Sequence, residues 1–280
     1  MSITTCHAAA MRRRDLAIAC LLSLLAAGCG GSSEPTRAAE DPSTVPPSAG
    51  PTSAAPSPSA SATGAQVRWR RVTFPSSGGA RLVGRVFQPG RGRAIVLAHQ
   101  VDTDQTDWLE FARELASNGY TVLTFNFQGA CGGGCSGGGV PTAELWTDIV
   151  GAVAFLEERG AERIGLVGAS LGGEASVAAA ARLGSRVSAV VTLSASLGLA
   201  ETGLGDARRD AAAIVAPTLF VAGESDAGAV QAARSFWRVA REPKRLEIVP
   251  FGEHGVELLR WEPGEHVRPL VLRFLHRALR

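Results

Sequence analysis

The sequence predicts an α/β protein with a mostly parallel, doubly wound sheet of about eight strands and helices on both faces. Three observations carry that prediction. From about Gln66 onward, short runs that are apolar throughout alternate with longer segments of helical spacing. Strands covered on both faces need such continuous runs, because neither side meets water. The first two runs are separated only by a short glycine-containing turn, which marks an antiparallel pair ahead of the parallel set.

Each element can be justified in order. VRWRRVTF (67–74) and RLVGRVFQ (81–88) form the pair, joined across Ser76-Ser77-Gly78-Gly79. The remaining strands read AIVLAH (94–99), YTVLTFNF (120–127), RIGLVGAS (163–170), VSAVVTLSA (187–195), PTLFVAG (217–223) and RLEIVP (245–250). Between and after them lie DWLEFARELASNG (107–119), TAELWTDIVGAVAFLEERG (142–160), LGGEASVAAAARLG (171–184), AVQAARSFWRVARE (229–242) and HVRPLVLRFLHRAL (266–279), all with helical spacing. Asn118-Gly119, Gly160 and Gly184 stand where helices should stop, since glycine accepts a left-handed conformation at low cost.

The N-terminal part has a different character. Met11-Arg12-Arg13-Arg14 precede LAIACLLSLLAAG and then Cys29, a basic stretch followed by an apolar run too short to cross a bilayer comfortably. This reads as an export signal over residues 1–28, with Met11 an alternative start to Met1. LAAGC at 25–29 resembles the lipobox of bacterial lipoproteins, with Ala26 where leucine is commonest. The resemblance implies that Cys29 is lipidated and anchors the chain on the extracytoplasmic face of the cell membrane; plain secretion is the alternative. Residues 29–65 are dominated by Ser, Pro, Ala and Thr, a composition that buries too little apolar surface to offset its ordering entropy, and they are expected to be a disordered tether. The catalytic or binding domain is then 66–280.

The full chain of 280 residues carries 28 basic and 26 acidic residues. Removing 1–28 takes away three arginines and one aspartate and leaves the charges equal, with no basic stripe for a nucleic acid. Cys131 and Cys135 are the cysteines of the domain, and an exported chain could bridge them across the intervening glycines. A zinc site there would need a second Cys or His pair nearby. Neither metal nor cofactor is expected.

The motif that carries chemistry is GLVGASLGG at 165–173. Ser170 falls between a predicted strand and a predicted helix, with Gly168 and Gly172 two residues to either side. Such a turn lifts the hydroxyl above the carboxyl edge of a sheet and aims the N–H of Leu171 where an oxyanion would form. A serine hydroxyl needs a base and an orienting acid. Two later strands end in Glu224-Ser225-Asp226 and in Gly252-Glu253-His254-Gly255 at the same edge.

With LAHQ, FNFQG, GASLG, AGESD and GEHG in place, the chain from 66 to 280 resembles the α/β-hydrolases, serine esterases and dienelactone-hydrolase-like enzymes among them. The resemblance implies Ser170 as nucleophile, His254 as base and Asp226, rather than Glu224, as acid. It implies a second oxyanion donor in the loop after the third strand, assigned to Gln100 with Val101 the alternative. Here Gln100 replaces the usual glycine, His99 should pin the loop, and Asn126 and Gln128 stand where relatives carry Asp and Arg. The segment 196–216 leaves room for only a minimal cap. Trp108 and Trp146 are open between pocket and core. The expected function is hydrolysis of small-molecule carboxylic esters; a noncatalytic surface binding protein of the same fold is the rival, and oligomeric state is left open.

Overall fold

The computed structural model describes residues 67–88, 90–138, 144–198 and 207–280. The signal, Cys29 and the tether lie outside the described residues, as do 199–206 within the expected cap. Eight strands form one sheet: β1 (Trp69–Pro75), β2 (Arg81–Phe87), β3 (Gly92–Ala98), β4 (Thr121–Phe125), β5 (Ala161–Ala169), β6 (Ala189–Leu193), β7 (Thr218–Gly223) and β8 (Lys244–Val249). Their order is β1-β2-β4-β3-β5-β6-β7-β8. Only the pairs β1–β2 and β2–β4 are antiparallel, and every later pairing is parallel.

The alternation of side chains along a strand divides the core in two. In β3, Ala94, Val96 and Ala98 face one layer, while Ile95 and Leu97 face the other. The first layer is closed by α2 (Trp146–Glu157), α3 (Leu171–Leu183), α4 (Ala207–Ala213) and α5 (Ala227–Val239), through residues such as Ile149, Val177 and Phe236. The second is closed by α1 (Leu109–Ser117) and α6 (Trp261–Ala278), through Leu115, Val271 and Leu275. Each such side chain removed from water is worth roughly 1.5–3 kcal/mol, so both layers contribute to holding the sheet.

Two elements differ from expectation for local reasons. The helix expected from 107 is a short 3-10 turn, Gln105–Trp108, followed by α1; Asp104 caps the turn by accepting from the N–H of Thr106 at 2.7 Å. The last helix begins at Trp261 rather than His266. Pro263 and Gly264 read as breakers, but a first-turn proline loses only an N–H that has no intrahelical acceptor anyway. Gly264 donates to Arg260 O at 3.0 Å, and any Cβ on it would lie 2.6 Å from Leu259 O.

Candidate active site

The parallel strands deliver their carboxyl ends to one edge, and the predicted site residues come from the loops there. Ser170 directly follows β5 and is the N-cap of α3, with φ 48° and ψ −116°. A non-glycine residue in this region costs of order 1–3 kcal/mol and persists only where its surroundings enforce it. They do so here by close packing. A Cβ on Gly168 would lie 2.2 Å from Gly172 O, and one on Gly172 would lie 2.3 Å from Ala98 O and 2.4 Å from His99 O. The Ser170 N–H donates to Leu193 O at 2.8 Å, and its carbonyl accepts from Glu174 N at 3.0 Å, so the turn is tied to β6 and to its own helix. Leu171 is the first residue of α3, where the N–H has no intrahelical acceptor and the helix dipole favours negative charge.

Asp226 follows β7 and caps α5 with Oδ1, which accepts from the N–H of Ala229 at 3.1 Å. Its Oδ2 lies 2.5 Å from His254 Nδ1. Both carboxylate oxygens are therefore engaged, one by the helix and one by the imidazole. With Nδ1–H donating to the carboxylate, His254 Nε2 is left as the acceptor, the tautomer a base requires. Glu224 is exposed and pairs by its backbone with Val249 O, so it is Asp226 that meets the histidine. Among the described residues Ser170 Oγ makes no hydrogen bond to His254; such contacts are often long without substrate and close when it binds.

Gln100 sits beside the elbow, since the carbonyls of Ala98 and His99 are what Gly172 packs against. Its side chain crosses to the histidine loop: Oε1 accepts from Val256 N–H at 3.0 Å, and Nε2 donates to Glu257 Oε2 at 3.3 Å. A Cβ on Gly255, whose φ is 61°, would lie 2.0 Å from that Oε1. The sequence suggested only a backbone role for Gln100, and this tie between the β3 and β8 loops went unread. His99 does pin its loop. Nδ1 lies 2.7 Å from Gln100 O and Nε2 accepts from Phe127 N–H at 3.1 Å, while burial holds its pKa below the ordinary value.

The glycine-rich loop after β4 is ordered by Asn126. This buried side chain accepts from Gln105 N–H at 2.9 Å through Oδ1, and through Nδ2 donates to Gly132 O at 3.0 Å and Gly134 O at 2.6 Å. Arg71 donates to the carbonyl of Gly133 between them. Cys131 and Cys135 form a disulfide across this turn. Gln128 donates its N–H to Asp148 Oδ2 at 2.8 Å, and burial pushes Asp148, in α2, up to about 6. The signal for this network was the departure that the resemblance marks, Asn126 and Gln128 where Asp and Arg were expected. Trp108 is wholly buried in the second layer, and Trp146 packs against the first with Arg182 stacked 4.6 Å from its ring.

Comparisons with known proteins agree with the topology. Residues 93–215 match the sequence profile of the α/β hydrolase fold. No curated protein sequence matches the chain significantly. Among solved structures, an esterase from Pyrococcus furiosus superposes with a TM-score of 0.65 at 17% identity, covering 76% of this chain and 92% of the esterase. Dienelactone hydrolase from Anabaena variabilis superposes at 0.63 with 23% identity, over 77% of this chain and all (100%) of its own. An α/β hydrolase from a Penicillium species gives 0.64 at 17%, over 76% and 99%. On the profile match, the strand order and these likenesses together, the chain has the α/β-hydrolase fold.

Proposed function

We propose that the protein is an exported, membrane-anchored serine hydrolase that cleaves carboxylic esters of small or exposed substrates through an acyl-enzyme. The observation that carries this reading is the coincidence at one sheet edge of a strained serine between strand and helix with a histidine whose Nδ1 is held by a helix-capping aspartate. His254 Nε2 takes the Ser170 proton as Oγ attacks the ester carbonyl. The oxygen that gains charge is received by the N–H of Leu171 and by that of Gln100, and such donors act most strongly where charge develops. His254 then protonates the leaving alkoxide, and in the second half-reaction it activates water to release the acid. Asp226 keeps the imidazole oriented and stabilises its protonated form. Anchoring through Cys29 and the tether over 29–65 are carried by the sequence pattern alone.

The test is turnover of a p-nitrophenyl ester series, acetate to dodecanoate, by the chain and by its Ser170→Ala variant. Activity lost in the variant supports the reading, and the chain-length optimum measures the acyl pocket. If no ester is turned over and a fluorophosphonate leaves Ser170 unmodified, the noncatalytic binding protein becomes the better account.

A further inference from the structure

The amino edge of the sheet, opposite Ser170, is built differently, and we propose that it is a membrane-facing surface that takes anionic phospholipid headgroups. The proposal rests on the exported, anchored reading for its setting and on the following geometry for its site. The chain enters the domain at this edge. Trp69, the first residue of β1, pairs with Phe87, which in turn pairs with Val122 near the start of β4. Trp69 is half exposed, with the Arg85 guanidinium 5.0 Å from its ring centre, an aromatic and a cation side by side on the first strand pair.

Three cavities open along the same edge, all lined by cations. One of about 370 Å³ lies between the end of α6 and the start of β4 and is lined by Arg273, Arg277 and Arg280. A second of about 260 Å³, by the first residues of β4 and β5, takes Arg70, Arg91 and Arg159. A third of about 330 Å³ lies by Pro217 and Pro243, ahead of β7 and β8, and adds Lys244 and Arg245. Among the described residues no aspartate or glutamate lines any of the three. Glu158, Glu242 and Glu247 pair with Arg159, Lys244 and Arg245. Arg70, Arg91, Arg273, Arg277 and Arg280 have no acidic partner among the described residues.

The dipole of α6 accounts for a cation in its last turn, but not for Arg91 ahead of β3 or for Arg70 in β1. Unpaired guanidiniums grouped on one face match phosphate geometry, and basic residues close to an anionic leaflet are drawn to it. Held in this way, the domain would present the Ser170 edge away from the bilayer, toward soluble or wall-side substrates.

The experiment uses the full chain carrying Cys29→Ser, so that no lipid is attached, in flotation with vesicles of phosphatidylcholine alone or with a minority of phosphatidylglycerol. The expected result is at least about tenfold tighter binding to the anionic vesicles, declining with salt. That preference should fall about tenfold in Arg273→Glu/Arg277→Glu/Arg280→Glu and persist in Arg81→Glu/Arg113→Glu/Arg234→Glu, which makes the same charge change elsewhere. Equal loss in both triple variants, no loss in either, or displacement by inorganic phosphate beyond that by chloride at matched ionic strength would overturn it. Ser170-dependent hydrolysis of a soluble ester and lipid incorporation at Cys29 of the unmodified chain are read separately, so the surface and the hydrolase reading can fail independently.

Discussion

The two edges of the sheet share strands but almost nothing else. The carboxyl edge is crowded and strained: of five non-glycine residues with positive φ among those described, Asp102, Ser170, Ser194 and Trp261 lie there, and only Gln88 lies at the amino edge. Its loops after β3, β7 and β8 are also acidic, with Asp102, Asp104, Asp107, Glu224, Asp226, Glu253 and Glu257 against Arg260, which pairs with Asp107 and Glu257. The amino edge is relaxed, open and cationic. Residues 29–280, with equal numbers of basic and acidic residues, are therefore polarised along the strands, strain gathering at one edge and cations at the other.

The largest expected effect breaks the comparison at its centre. Ser170→Ala should lower kcat/KM for a p-nitrophenyl ester by about 10⁴-fold or more, whereas Arg277→Glu at the other edge should leave it within about twofold. Next comes Gly172→Ala, whose new methyl meets the carbonyls of Ala98 and His99. Pushing the β3 loop off the elbow should cost about 100-fold in activity and about 1–3 kcal/mol in urea unfolding. Gln100→Ala keeps the backbone N–H proposed to face the oxyanion and removes only the tie to Val256 and Glu257, so kcat should fall about tenfold with KM little changed.

Asp148→Asn sharpens the comparison through pH. The folded-state pKa of this carboxyl is raised from 3.8 to about 6, chiefly by burial, so its contribution is most favourable below the unfolded value and is lost as pH rises through that window. The asparagine variant should match the parent near pH 4 and exceed it by about 2 kcal/mol at pH 7.5, read by urea unfolding at both. The smallest effect tests the acidic rim. Esters with an anionic acyl group should react a few-fold more slowly than neutral isosteres, and added salt should close that gap.

Much of this was legible in the sequence, for reasons that particular residues make plain. Parallel strands buried on both faces write themselves as unbroken apolar runs, so LFVA in β7 and IVLA in β3 could be placed directly. Ser170 was legible because the elbow needs glycines at fixed offsets, which its close approaches explain. The Gln100 tie was not, because a contact between residues 156 apart leaves no local periodicity. Neither was the early start of α6, where tertiary packing overrides the breaker signal of Pro263 and Gly264. The polarity of the two edges was hidden as well, since net charge is a sum and the edges cancel in it.

The same tie has a mechanical consequence. β8 is the outermost strand on its side, and three strands, β5, β6 and β7, separate it from β3. Gln100 acts as a guy line from the middle of the sheet to its rim, so β8 cannot fray without slackening the loop that carries His254. On warming, the domain should fall silent as an enzyme while most of its sheet still stands.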